Sequence, residues 1–499
     1  MTDPDGEPDL VHGLGRGVGW TYAGVAGQVL GNLVVTAVAV RVLGVADFGV
    51  FAVIQAIALL LYVVDFGLGL NVVASAATWA TAAAERSSRD AAQRQVAVAN
   101  AVYRRIGLAV AAFAVIGFGV FVPLARMGTA FTVLLVLLAA AVNIGLACPE
   151  GVASGLRRFD LVAMSSLAGS VVTLGVTVAT LHAFGVAALG LGQLAGALAT
   201  RLVVLRGLQP LPEFLRGGCS PTAPEVRGVL RQAGPLVFAN AATHLLAALN
   251  LLLIGSVADA RAVGIFRACS LLPTQAAGLL FRGYDVAFPS LVAARDPDGQ
   301  ERLNGTLTRI AGFAGAVGLG WMALEAHPLT RLLLGQDSRS GARVLALFCL
   351  VWLVNIPAHG LALLVIARQA QRLFVGLTVV EAVLNVALTL WLSAEYGAVG
   401  AATASLITIG ASNAVLLPFL ARRELPRTCR TGVFADGYLR IGAGLLVVAV
   451  AGAAVHPVAT GPVVPVVTGG LALLVGIPAG ALVVGRSGRT VLASARRGS

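Results

Sequence analysis

The sequence predicts an all-α polytopic membrane protein: about fourteen transmembrane helices, forming two parallel six-helix repeats plus two C-terminal helices. Three observations lead there. The chain is 58% hydrophobic and only 12% charged, with a mean hydropathy of +0.89, whereas soluble domains carry about a quarter charged residues. Its apolar residues come in continuous runs of roughly 20, the length that crosses a bilayer as a helix. Three landmarks then recur at a nearly constant offset.

The runs lie at about 19–40, 49–70, 104–125, 130–151, 161–183, 185–206, 233–257, 264–285, 307–327, 342–366, 373–394, 397–420, 440–460 and 462–484. They do not alternate with period two, so helices are preferred to a barrel. The expected organisation is a cytoplasmic tail at 1–18, a six-helix lobe at 19–206, a linker at 207–232 and a second lobe at 233–420. A loop at 421–439, helices thirteen and fourteen at 440–484 and a tail at 485–499 complete it. The opening MTDPDGEPDL lacks the basic and apolar regions of a signal peptide and reads as a short tail.

The net charge of +12 comes from a chain whose 35 basic residues are all Arg. They sit between the apolar runs and form no basic patch, so no nucleic-acid partner is implied. Roughly four in five fall on the side shared by the two termini, which the positive-inside rule assigns to the cytoplasm of a plasma membrane protein. The five Cys are scattered at no metal or disulfide spacing, and no cofactor or metal is implied. The cytoplasmic connection 74–103, with Arg86, Arg89 and Arg94, is either an amphipathic helix on the inner leaflet or a solvated link.

The repeat is carried by VNI at 142–144 and 354–356, and by FGVAALG at 184–190 and YGAVGAA at 396–402, both pairs offset by 212. The third landmark pairs Gly49-Val50-Phe51 with Gly264-Ile265-Phe266, offset by 215. Six spans per copy insert both copies with one topology, and two such bundles leave a cavity that rocking exposes to alternate sides. That is transporter geometry, and it needs no catalytic residue.

Several motifs add a family resemblance: RVLGVADFGVF at 41–51, DFGLG at 65–69, GLRRFD at 155–160, LLIGSV and AVGIF within 252–266, FPSL at 288–291 and LTRLLLG at 329–335. The best single match is EAVLNVALTLWLSAEYGAVGAATA at 381–404. Together they resemble the Wzx-type oligosaccharide flippases of the multidrug/oligosaccharidyl-lipid/polysaccharide (MOP) exporter superfamily, along nearly the whole chain. The resemblance implies a V-shaped bundle like that of the MATE multidrug exporters. It also implies movement of an undecaprenyl-diphosphate-linked oligosaccharide from the cytoplasmic to the outer leaflet during polysaccharide biosynthesis. Membrane lipids, and the glycosyltransferases and polymerase of an assembly pathway, are the implied partners. Where many relatives carry an acid and a basic residue in span seven, this chain has Asn250 and Leu251, which puts cation coupling there in doubt.

A diphosphate needs fixed positive charge, and Arg binds phosphate with a planar fork. The candidates are Arg16, Arg41, Arg267 and Arg282, in or beside the first hairpin of each repeat. Arg267 stands inside an apolar run, where a charge costs ~2.5–3.5 kcal/mol on insertion scales. It therefore either faces a cavity or snorkels to the outer interface. Gln28, Asn32, Asn240, His244 and Asn250 either line the cavity or bond neighbouring helices. Glu381 is either a proton or sodium site or a protonated acid bonded to Asn385, one turn on. Glu325 and His327 are expected at the outer interface of span nine, and Asp65 at a helix exit. Gly44 and Gly49 are read as the outer turn after span one, with Asp47 capping span two.

The alternatives are a lipid II flippase, a cation-coupled small-molecule exporter, a membrane glycosyltransferase, polymerase or ligase, and a non-transporting scaffold. Against an enzyme, the Asp-x-Asp pairs at 3–5 and 296–298 enclose Pro in charged cytoplasmic segments, and no outer loop is large.

Overall fold

A computed structural model describes residues 7–61, 68–80, 86–121, 127–210, 212, 215, 221–293, 297–367, 371–421, 427–455, 464–465 and 467–474. All regular structure among them is helical. Close contacts divide the chain into two compact units, Met1–Leu252 and Leu253–Ser499.

In the first unit the helices are α1 (Glu7–Leu43), α2 (Val45–Leu61), α3 (Leu68–Ala80), α4 (Arg86–Phe121), α5 (Met127–Gly145), α6 (Cys148–Gly155), α7 (Phe159–Phe184) and α8 (Ala187–Gly207). α9 (Ala223–Val257) crosses the division. α7 packs along α8 and α1, and α5 packs on α4 and α8. Small residues let α7 and α8 approach closely: a Cβ on Gly196 would lie 2.8 Å from the Gly169 carbonyl oxygen.

The second unit holds α10 (Ala260–Ala293), α11 (Pro297–Leu324), α12 (Ala326–Leu334), α13 (Arg339–Ala367) and α14 (Gln371–Ile409). A π-helix at Gly410–Leu416, α15 (Leu417–Ala421) and α16 (Arg427–Val455) follow. α13 packs against α10, α11 and α14. Helix thirteen of the sequence map is α16, which packs on α11 through Phe313, Val317, Val448 and Ala451. Arg309 Nε donates to Asp436 Oδ2 at 2.8 Å across that contact. The described part of the last helix rests on α11 as well, with Trp321 Nε1 donating to the Pro465 carbonyl at 3.0 Å.

Among the described residues ten helices are long and apolar enough to span a membrane. The fourteen expected runs map onto these and a few shorter pieces. Runs two and seven appear as the shorter apolar helices Val45–Leu61 and Ala248–Val257. Runs eleven and twelve form one continuous stretch, Gly376–Ala421, bent at Gly397. Run fourteen is described only at 464–465 and 467–474.

The repeat is written in the backbone. Gly185, between α7 and α8, has φ 54° and ψ −129°. Gly397, 212 positions later, has φ 56° and ψ −129°. Residues with a Cβ rarely adopt positive φ, so both copies place glycine where the chain makes the same turn.

Two local expectations are corrected. Gly44, at φ 88°, alone makes the turn after α1; Gly49 is buried inside α2 and Asp47 lies in its first turn, where it favours the helix dipole without capping. In the connection 74–103 the described residues are helical, α3 ending at Ala80 and α4 starting at Arg86, with Arg86 and Arg94 exposed and Arg89 half-buried. Glu325 does not reach an interface. It is 1% exposed, and Thr468 Oγ1 donates to its Oε1 at 2.8 Å, so the last helix covers it. His327 is exposed, and Asp65 lies outside the described residues.

Candidate functional site

α8 continues as one regular helix to Gly207, which sets Arg201 a turn and a half from its end. A guanidinium inside an apolar span needs a counter-charge or a cavity, and here it has both. Arg201 Nη1 donates to Glu150 Oε2 of α6. Nη2 donates to the Asn143 carbonyl oxygen at 3.2 Å and to Asn143 Oδ1 at 3.3 Å. The Arg201 side chain is 10% exposed and that of Glu150 34%. The three residues converge because the chain breaks between α5 and α6. Leu146 and Ala147 form a turn, and Pro149 in the first turn of α6 starts a new helix that presents Glu150 sideways. Beside them is a cavity of about 310 Å³, walled also by Val72, Tyr103 and Ser154.

The corresponding corner of the second unit has different chemistry. Ser412 Oγ, in the π-helix, donates to Glu381 Oε2 at 2.9 Å. The next residue, Asn413, donates through Nδ2 to Asn355 Oδ1 at 3.0 Å. A π-turn widens the helix locally and re-aims side chains, which turns Ser412 to α14 and Asn413 to α13. The anticipated Glu381–Asn385 bond is replaced by the bond to Ser412; Asn385 is buried and its Oδ1 has no hydrogen-bond partner among the described residues.

The Arg residues singled out from sequence are not gathered. Arg267 and Arg282 lie on one helix fifteen residues apart, a rise of about 22 Å. Arg16 and Arg41 lie near opposite ends of α1, so one diphosphate cannot meet all four at once. Arg267 is half-buried, and Arg41 and Arg282 are exposed. Gln28 and Asn32 are exposed on α1, and Asn250 is half-buried on α9. Asn240 and His244 belong to α9, but their side chains, like that of Arg16, are outside the described set. Arg201, Glu150 and Asn143 were missed by sequence reasoning. The available signal was an Arg well inside the run 185–206 and a Glu at the edge of the run 130–151.

Another polar cluster lies in the second unit. Phe281 stacks on His359 with ring centroids 4.2 Å apart, and Tyr284 meets the same imidazole edge-on at 5.3 Å. Tyr284 Oη donates to Thr308 Oγ1 at 3.3 Å. No group of three or more His, Cys, Asp or Glu gathers among the described residues.

Residues 14–294, more than half of the chain, match the model of a family described as polysaccharide biosynthesis protein. The lipid II flippase MurJ in an inward closed conformation is similar in fold, with a TM-score of 0.68 at 13% identity, covering 92% of this chain and 97% of that one. An outward-facing multidrug resistance MATE transporter of the MOP superfamily gives a TM-score of 0.60 at 15% identity, covering 87% and 96%. A MOP superfamily transporter from Pyrococcus furiosus gives 0.58 at 15% identity, with the same coverage. These likenesses establish the fold. No curated protein sequence matches the chain significantly.

Proposed function

Because this multi-pass membrane protein belongs to the polysaccharide biosynthesis protein family, we propose that it flips an undecaprenyl-diphosphate-linked oligosaccharide from the cytoplasmic to the outer leaflet of the plasma membrane. The observation that carries this reading is the family match on a chain whose two units repeat the same helix–glycine turn–helix element at Gly185 and Gly397. Duplicated six-helix units suit alternating access, and that motion requires no reacting side chain. The Arg-rich side, which includes both termini, is cytoplasmic in this reading. Glycosyltransferases supply the lipid-linked glycan there, and a polymerase consumes it outside.

The energetics permit movement without a coupled ion. A cytoplasm-negative potential favours outward transfer of an anion by about 2.3 kcal/mol per charge per 100 mV. Arg16, Arg41, Arg267 and Arg282 are proposed to meet the diphosphate at successive stages, because their separation forbids a single clamp. Gln28, Asn32, Asn240, His244 and Asn250 are proposed to serve the glycan. Glu381, bonded to Ser412 beside the buried Asn385, is the proposed proton or sodium site if an ion contributes.

The test is a leaflet-resolved assay of lipid-linked oligosaccharide in cells depleted of the protein. The expected result is loss of substrate from the outer leaflet with accumulation inside. An unchanged outer-leaflet pool rejects the reading, and accumulation of lipid II instead assigns the chain to peptidoglycan precursors.

A further inference from the structure

The corner at Arg201 holds more charge than the fold asks for. In the second unit the same helices are bridged at the same sequence separation by Asn413 and Asn355, and the position matching Glu150 is Ala362. A neutral amide pair is therefore sufficient to join α13 to the π-helix. The first unit places a buried guanidinium and a carboxylate at the equivalent corner, despite the desolvation that burying charge costs.

The two charges are not held alike. Asn143 ties the guanidinium to α5 through two acceptors, so Arg201 is part of the wall. Glu150 is more than three times as exposed and also lines the cavity. Arg201 Nε is buried and has no hydrogen-bond partner among the described residues. A guanidinium offers five donors, and this one has some to spare.

We infer that this cavity is a binding site for a phosphate-class anion, with Arg201 holding the anion and Glu150 the internal counter-ion that it displaces. The physical basis is exchange of one anion for another. The buried cation keeps a negative partner at all times, because Glu150 fills the role until the ligand arrives and then moves toward the cavity mouth. Phosphate oxygens suit the planar fork better than a single carboxylate does, since they supply several acceptors at once. A neutral, hydroxyl-bearing ligand would instead need Glu150 to stay and accept from it, which makes the two ligand classes separable by experiment.

In the orientation proposed above, α8 ends at the cytoplasm, so Arg201 lies about 9 Å inside the cytoplasmic end of its helix. Two sources of the anion reach that depth: the diphosphate head of a lipid in the inner leaflet, and a soluble phosphate. The first source rests on the proposed function; the anion site itself does not.

The test uses the full chain in phosphatidylcholine nanodiscs, titrated calorimetrically with farnesyl diphosphate and, in a separate arm, with inorganic pyrophosphate. Wild type is expected to bind at least one of them. R201N combined with E150A copies the second unit's neutral corner, so it should fold, and it should lose binding at least tenfold. R201K, which keeps the charge without the fork, should bind with intermediate affinity and guards against a folding failure of the double variant. E150Q, which removes the competitor, should bind as tightly as wild type or several-fold tighter. Binding of farnesyl diphosphate supports the lipid source, and binding of pyrophosphate alone supports the anion site with a soluble source. No binding by wild type, no loss in the double variant, or equal loss in E150Q and the double variant overturns the inference. The leaflet assay is independent of these outcomes, so a failure here and a failure of the flippase reading are distinguishable.

Discussion

At the contact of α7 with α8, Gly169 lies against Thr200, and the next residue, Arg201, reaches Asn143. At an offset of 212, Glu381 accepts from Ser412, and the next residue, Asn413, reaches Asn355. The two units thus build one corner twice and place an ionisable group on different arms of it. In the first unit the cation is on the second helix, and the position matching Glu381 is Gly169, which faces Thr200. In the second unit the acid is on the first helix and its opposite position is serine. Because the helix framework survives both arrangements, neither charge is needed for packing. Each is a local addition to a shared scaffold, the pattern expected of ligand or ion sites set into membrane helices.

The largest effect should come from moving the charge to the wrong unit. N413R puts an uncompensated guanidinium among α13 and the π-helix, at a cost of about 3 kcal/mol on the insertion scales for Arg. Unfolding by SDS titration in mixed micelles measures it. Adding A362E, which supplies the missing acid at the same offset, should recover part of the loss if the two corners are equivalent. An unstable double variant would instead show that the break between α5 and α6 is required for the pairing.

Removing the acid from the first unit should cost somewhat less. E150A leaves Arg201 without its charged partner, a change worth 3–5 kcal/mol for fully buried pairs. With a side chain one-third exposed, Glu150 should account for about 2 kcal/mol in the same titration. R201N on that background should restore most of it, a non-additivity that two independent sites would not show.

The small-residue contact should be sensitive on one side only. G196A forces a methyl to within 2.8 Å of the Gly169 carbonyl oxygen, so α7 and α8 must separate, at about 1–3 kcal/mol. The equivalent T408A removes a hydroxyl bonded only to its own helix, at Ala404 O, and should cost under about 1 kcal/mol.

The smallest effect concerns the linker. Thr222 and Glu225 open α9, and Arg94 Nε and Nη2 donate to the two Glu225 oxygens at 2.8 and 3.1 Å. The Arg94 hydrogen bonds, reinforced by Thr222, push the Glu225 carboxyl down to about 2. A depressed carboxylate supports the folded state above its ordinary range near 4.5 and loses that support as pH falls toward 2. R94Q should return the titration toward 4.5. Infrared difference spectra of the carboxyl band, taken against E225Q, would follow it, and an unmoved titration would show that Thr222 alone sets the value.

The fold was largely legible in the sequence because apolar runs obey bilayer physics, which acts on the chain locally. Runs eleven and twelve were separated in sequence at Glu395 and Tyr396, immediately before the Gly397 bend. The matching of 184–190 with 396–402 anticipated two glycines of the same backbone conformation. The candidate site was less legible. Arg201 and Glu150 are 51 positions apart and come from different helices, so no spacing rule links them. Glu381 was recognised, but its partner was sought one turn away on its own helix when it comes from the π-helix beyond the bend.

Composition, charge distribution and the 212-residue offset were therefore enough to determine a multi-pass helical membrane protein built twice over. Each of those properties is a sum along the chain, insensitive to which way a given side chain points. Tertiary structure alone decided that a break after Gly145 turns Glu150 toward Arg201, and that a π-turn at Gly410 turns Ser412 toward Glu381. Such choices depend on a fraction of a helical turn, and hydrophobic periodicity among residues that are nearly all apolar does not record it.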